Sequence, residues 1–326
     1  MFWLFAVLFA GQFETTFHDG LIALNENNLA LAESRLEAAA QLEPQNAGVW
    51  LALAQTYWKL HKAPQAQSAA GKAESLAGNN VVVLHALAIF RSETEDYAGA
   101  AKLLQAAIVR KPFEEGYYFE LVQLYLKQEK FAAALVTLDA GRKKFDKSAQ
   151  LELATGVAYY GLRRFPEAID AFLRTNKLDA EIEQPYVFLG RMLDQAEDRL
   201  PRITEVFAGF AKRAPENYLS SFVYGKSLAL GKDPVSAEAL LRRSIAQNDG
   251  YWESHFELGM LLGEQRKFEE AVREIRRGAE LNASDPVPHY HLARLYDRMG
   301  KTKEASAEHE MHARLASAAG RMTGIK

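Results

Sequence analysis

Residues 159–172 read YYGLRRFPEAIDAF. The stretch 34 positions earlier, residues 125–138, reads YLKQEKFAAALVTL, and residues 262–275 read LGEQRKFEEAVREI. Each runs from a large apolar residue through a short polar turn to Phe, with Ala three residues later. A polar turn between two segments of helical apolar spacing is a helix–turn–helix pattern. Its recurrence at a fixed spacing is the mark of a repeat architecture.

A step of 34 from Phe13 places units at Phe13, Ala47, Val81, Glu115, Ala149, Glu183, Tyr218, Trp252 and Pro286, with one extra residue near Asp198–Pro201 in the sixth. The eighth position of these units holds Gly20, Ala54, Ala88, Val122, Gly156, Gly190, Gly225, Gly259 and Ala293. The twentieth holds Ala32, Ala66, Ala100, Ala134, Ala168, Ala237, Ala271 and Ala305, and only the sixth unit departs, with Ile203. Small residues in both columns let two helices approach closely, where larger side chains would hold the axes apart. Leu53, Leu87, Leu121, Leu189, Leu258 and Leu292 at position 7 supply apolar mass beside them. Pro166, Pro201 and Pro234 fall in the first turn of the second helix, where a missing N–H costs little. The predicted fold is all-α, an α-solenoid of about nine 34-residue helix–turn–helix units.

These columns resemble the tetratricopeptide repeat family, whose period is 34 with small residues at positions 8, 20 and 27, a large residue at 4 and Pro at 32. Here position 4 includes Trp50, Leu84, Tyr118 and Tyr186; position 27 includes Ala39, Ala73, Ala107, Gly141 and Gly278; Pro44, Pro112 and Pro215 occupy position 32. The resemblance covers residues 13–319 and implies a right-handed superhelix whose first helices line a concave groove. Residues 198–201 are a candidate kink, without a composition shift that would mark a domain boundary.

The chain has 326 residues, 48% hydrophobic and 25% charged, with a net charge of −3 and no cysteine. That is enough apolar mass for a sizeable core. The balance gives no basic surface for nucleic acid, and the missing cysteines exclude disulfides, thiolate-bound zinc and thiol catalysis. Phe2–Ala10 is a run of nine apolar residues. It is too short to span a bilayer but long enough for the apolar region of a secretory signal. Residues 1–12 are therefore read as a candidate signal peptide or a helix capping the fold, with Ala10-Gly11 as small residues at a cut. No membrane span is expected, and residues 320–326 read as a flexible tail. Export to the periplasm or cell envelope is the expectation, with the cytosol as the alternative.

Solenoids bind along their surfaces, and in the family positions 2, 5, 6, 9, 12 and 13 of the first helix tend to face the groove. The resemblance thus implies a groove carrying Trp58, Phe119, Leu126, Tyr160, Phe222, Phe256, Met260, Tyr290 and Arg294, with a protein or peptide segment as partner. The same spacing also suits packing between helices, so position 5 is either groove or core. No catalytic, cofactor or metal site is expected. His309-Glu310-Met311-His312 puts two histidines on one helix face, but the spacing is not that of a zinc peptidase, and polar residues there suit the open end of an array. A non-enzymatic scaffold is the expected function. A cytosolic adaptor, a spacer and a metal enzyme around His309/His312 stand as alternatives.

Overall fold

Helices of 12–15 residues are marginal in water on their own, so these elements depend on packing against neighbours. The computed structural model describes the backbone of residues 2–322 and the side chains of residues 11–318. Among the described residues there are eighteen α-helices, two 3-10 turns and no strand. The chain divides into two compact units, residues 1–162 and 163–326.

In the first unit α1 (Phe2–Asn25) pairs with α2 (Leu29–Leu42), α3 (Ala47–Lys59) with α4 (Ala63–Ala77), α5 (Val81–Glu93) with α6 (Tyr97–Arg110) and α7 (Glu115–Lys127) with α8 (Phe131–Arg142); α9 (Ala149–Gly161) packs on α7 and α8. The second unit holds α10 (Phe165–Leu178), α11 (Gln184–Arg191) and α12 (Leu200–Arg213). It continues with the pairs α13 (Tyr218–Leu230) with α14 (Pro234–Gln247), α15 (Trp252–Glu264) with α16 (Phe268–Leu281), and α17 (Val287–Arg298) with α18 (Thr302–Met322). First helices begin at Ala47, Val81, Glu115, Ala149, Tyr218 and Trp252, the residues that the 34-residue step assigns. The two end helices are longer than the rest. Helix α1 runs without a break from Phe2 through residue 13, and α18 continues past residue 319 to Met322. Met1 and residues 323–326, the rest of the expected tail, lie outside the described residues.

The small columns sit at the helix–helix contact. Ala32, Ala66, Ala100, Ala134, Ala168, Ala237 and Ala271 are fully buried. A Cβ on Gly259 would lie 2.4 Å from Ile275 Cγ1 and 2.9 Å from the carbonyl oxygen of Ala271. Backbone thus meets backbone where position 8 crosses position 20. The sixth repeat shows the converse. Its position 20 is the buried Ile203, and α11 and α12 pack on α10 and α13 rather than closely on each other. The first helix stops after eight residues and continues as 3-10 turns at Leu193–Gln195 and Glu197–Arg199. The irregularity at residues 198–201 is therefore an opened hairpin, with a bulky side chain in the small column.

The turns repeat as closely as the helices. Asn27, His61, Glu95, Glu129, Arg163, Glu197, Lys232 and Arg266 all have positive φ, from +48° to +64°, and Gly300 has φ +73°. Each is position 15 of its repeat. In this conformation the next amide reaches back to the position-11 carbonyl: Lys62 N–H to Tyr57 O, Lys130 to Tyr125, Asp233 to Leu228, Lys267 to Leu262 and Lys301 to Tyr296, at 2.8–2.9 Å. This is the Schellman closure, which satisfies carbonyls at the end of a helix.

In four repeats position 4 ties the first helix to the loop before it. Trp50 Nε1 donates to Pro44 O at 2.8 Å, Tyr118 Oη to Pro112 O at 3.2 Å, Tyr186 Oη to Ala180 O at 2.8 Å, and His255 Nε2 to Asp249 O at 3.1 Å. The residue is large because it must fill the layer, and polar at its tip because the loop carbonyl is otherwise unpaired. Repeat three departs at position 11, where Arg91 replaces the usual apolar residue. It bridges Glu74 at 2.6 Å and Asp96 at 2.5 Å. Asp96 also accepts the Gly99 N–H, and that bond, then Arg91, holds its carboxyl below the ordinary range.

Two outcomes follow. Gly259→Ala lowers stability by about 1–3 kcal/mol, the cost of overpacking, whereas Gly71→Ala, with nothing within 4 Å of its missing Cβ, is neutral or stabilising by about 0.5–1 kcal/mol; urea melts read both. His255 Nδ1 donates to Glu274 at 2.8 Å. Burial opposes its charged form, but Glu274, the Asp249 carbonyl and the two carboxylates outweigh burial and raise its pKa. The contribution is complete below the unfolded pKa of about 6.5 and is lost as pH rises through the folded one. His255→Gln therefore costs most in acid melts and progressively less toward alkaline pH.

Candidate functional site

The side chains that leave the core on the first helices fall at fixed offsets, because positions 5, 9, 12 and 13 share a helix face. In the first unit this face is a cleft of about 680 Å³ between α5 and α7. Ile89, Ser92 and Glu93 come from α5, Phe119, Glu120, Gln123 and Lys127 from α7, and Leu104 and Leu124 form the floor. A neighbouring cleft of about 340 Å³ involves α1, α3 and α5, with Leu21, Leu24, Gln55, Trp58 and Lys59 on its walls. Glu93 borders both. Leu21, Trp58 and Ile89 are exposed there. His85 Nε2 lies 2.7 Å from Glu120, which steadies one carboxylate on the rim.

In the second unit the same register builds a smaller cleft of about 230 Å³ between α15 and α17. Met260 and Glu264 stand on one side, His291, Arg294 and Arg298 on the other, and Ile275 and Leu295 at the base. His291 is held below its ordinary pKa by burial and, after that, by Arg294. Its neutral form therefore dominates at pH 7. Elsewhere on the first helices of this unit, Lys226 pairs with Glu257 at 2.6 Å. Burial raises the pKa of Glu253, whose Oε2 is buried without a hydrogen-bond partner.

The residues expected on the groove divide between these environments. Trp58 and Phe119 line the clefts of the first unit, and Met260 and Arg294 that of the second. Leu126 is half-buried against the core cluster of Val122, Ala134, Leu138 and Leu151, and Tyr160 is half-buried on α9. Phe222 is 5% exposed and meets Tyr251 edge-on at 5.0 Å. It is a core side chain, because α13 packs between α12 and α14 and the next first helix closes over it. Phe256 is half-buried with its ring against His291 at 5.3 Å. Tyr290 is 40% exposed and touches His291 and His312. His309 faces Asp297 at 3.4 Å. Among the described residues no group of three or more His, Cys, Asp or Glu side chains could hold a metal ion, and no helix is long and apolar enough to cross a membrane.

Glu93, Lys127, Glu264 and Arg298, all at position 13, supply much of the charge on these clefts. Reading that column alongside position 5 finds them, since a residue one turn beyond position 9 shares its face.

Residues 119–180 match the tetratricopeptide repeat family. No curated protein matches the chain. Among solved structures, the C-terminal part of a TPR repeat-containing protein from Cytophaga hutchinsonii is 18% identical, covering 74% of this chain and 99% of that one with a TM-score of 0.53. PilW, a widely conserved type IV pilus biogenesis factor, is 16% identical, covering 62% and 92% respectively with a TM-score of 0.51. At these identities the likeness is one of fold.

Core and rim separate in a stability measurement. Phe222→Ala lowers stability by about 3–5 kcal/mol, the range for emptying a buried aromatic site, while Trp58→Ser and Tyr290→Ser each stay within about 1 kcal/mol of wild type. Urea titration followed by circular dichroism distinguishes them.

Proposed function

We propose that this chain, whose residues 119–180 match the tetratricopeptide repeat family, is a non-enzymatic interaction scaffold whose first unit binds an extended peptide along α1, α3, α5 and α7. The observation that carries this reading is the pair of adjoining clefts on one helix face, with Leu21, Trp58 and Ile89 left exposed beside buried leucines. A contiguous apolar surface rimmed by polar groups marks an interaction site, and 680 Å³ is within the range of ligand sites. Apolar anchors supply the affinity, and Gln55, Gln123, Glu93 and Lys127 set the register through hydrogen bonds and charge. The moderate net charge of −3 offers no electrostatic drive toward nucleic acid.

Export to the periplasm or cell envelope belongs to the same reading. The apolar run Phe2–Ala10 suits a secretory signal. Among side chains described, Phe13 is the first that is buried. A cut after Ala10 leaves residues 11–25 of α1, longer than the 13 residues of α3, so the first hairpin keeps its packed length.

The test is capture of partners from the native cells by wild type and by the Ile89→Glu/Phe119→Ser variant, both first shown helical by circular dichroism. The expected result is a protein retained by wild type and lost by the variant, while the native form of this chain itself begins at Gly11 or Gln12. Retention by both removes the groove reading, and an intact Met1 end on cytosolic protein removes export.

A further inference from the structure

The cleft between α15 and α17 has a chemical character that the clefts of the first unit lack. Arg294 and Arg298 lie one turn apart on α17 and line it together. The Arg294 guanidinium sits 5.7 Å above the Tyr290 ring and that of Arg298 4.8 Å above Phe268. Among the described residues neither is within ion-pair distance of a carboxylate, unlike Arg242 and Arg277 on the neighbouring second helices, which pair with Glu238 and Asp249. The acidic residue on the cleft is Glu264, and it bridges neither arginine.

A guanidinium resting on a ring keeps its five donors free while its side chain is already ordered, so little freedom is lost when an anion arrives. Two such forks a turn apart accept an oxyanion through paired N–H···O bonds. Beneath them Ile275 and Leu295 form an apolar floor, and Met260 stands on the facing wall. We propose that this cleft binds a peptide segment bearing an oxyanion, either the carboxylate of aspartate or glutamate or a phosphorylated side chain. Arg294 and Arg298 are its ligands, and a neighbouring apolar side chain of the segment lies on Met260 and Leu295. Neutral His291 beside them adds a polar contact without competing for the anion. The proposal rests on the scaffold reading only for the ligand being a peptide. The two sites lie in different units, so one can fail without the other.

The experiment is fluorescence anisotropy on the full chain with four labelled ten-residue peptides that share flanking leucines and differ at two central positions: Glu, phosphoserine, Lys or Ser. The expected result is that the Glu or the phosphoserine peptide binds at least about tenfold tighter than the Ser and Lys peptides, a difference of about 1.4 kcal/mol. The preference should shrink with added salt. It should vanish in Arg294→Gln/Arg298→Gln, which keeps the wild-type melting curve, and persist in Ile89→Glu/Phe119→Ser. Tighter binding of Glu assigns the carboxylate as the source, and tighter binding of phosphoserine assigns the phosphate. Equal affinity for all four peptides overturns the proposal, as does a preference that survives loss of both arginines. If the double Gln variant melts early, Arg294→Lys/Arg298→Lys decides. It keeps the charge but loses the forks, so undiminished binding in it also overturns the proposal.

Discussion

A hydrogen-bonded carbonyl at Ala271 and a side chain at Ile275 occupy the space where any residue larger than glycine at 259 would place its Cβ. The same exclusion, relaxed to alanine in several repeats, sets how near the two helices of a hairpin come. Most of what is regular in the chain follows from it. Close approach buries the alanine column completely, lets the leucines of position 7 meet the next layer, and leaves positions 5, 9, 12 and 13 of the first helices on an open face. The sixth repeat, with Ile203 in the column, confirms the dependence by its failure. Its helices turn to their neighbours, and the first of them unwinds after eight residues.

Within that frame the repeats are held by different chemistry at equivalent places. At Trp50, Tyr118, Tyr186 and His255 position 4 is an indole, a phenol or an imidazole that reaches the carbonyl six residues back. Position 11 is tyrosine or leucine in most repeats and a doubly paired arginine in the third. These exchanges work because the layer asks for volume and one donor rather than for a given side chain. They also localise sensitivity to pH. Asp96 in the first unit contributes stability that falls in acid, while His255 in the second contributes stability that falls in alkali.

The fold was legible in the sequence because two columns of small residues, each recurring every 34 positions, match what closely packed helix pairs need. Six first helices begin at the residue that the period names. The opened sixth hairpin was visible only as an irregular residue count and one large side chain. How helices respond to a bulky contact depends on neighbours that a linear pattern does not contain. The candidate site was less legible. An aromatic at position 5 can point toward the groove or lean into the next layer, and the column alone does not say which residue of the next repeat meets it. Phe119 lines a cleft and Phe222 is core, though they share a column. Position 13 carries Glu93, Lys127, Glu264 and Arg298 on the clefts, and its charge is a clearer signal than an aromatic at position 5 because it has no buried alternative.

The left-handed residue in these turns has an energetic consequence. Asparagine, histidine, glutamate, arginine and lysine fill eight of these positions, and only Gly300 occupies the conformation without a steric penalty. Each of the other turns therefore carries a local backbone cost that its closing hydrogen bond and the burial across the small columns offset. Glycine at any of them would lift that cost without emptying a packed column, so the stability of such an array can be adjusted from its turns while its packing layers stay as they are.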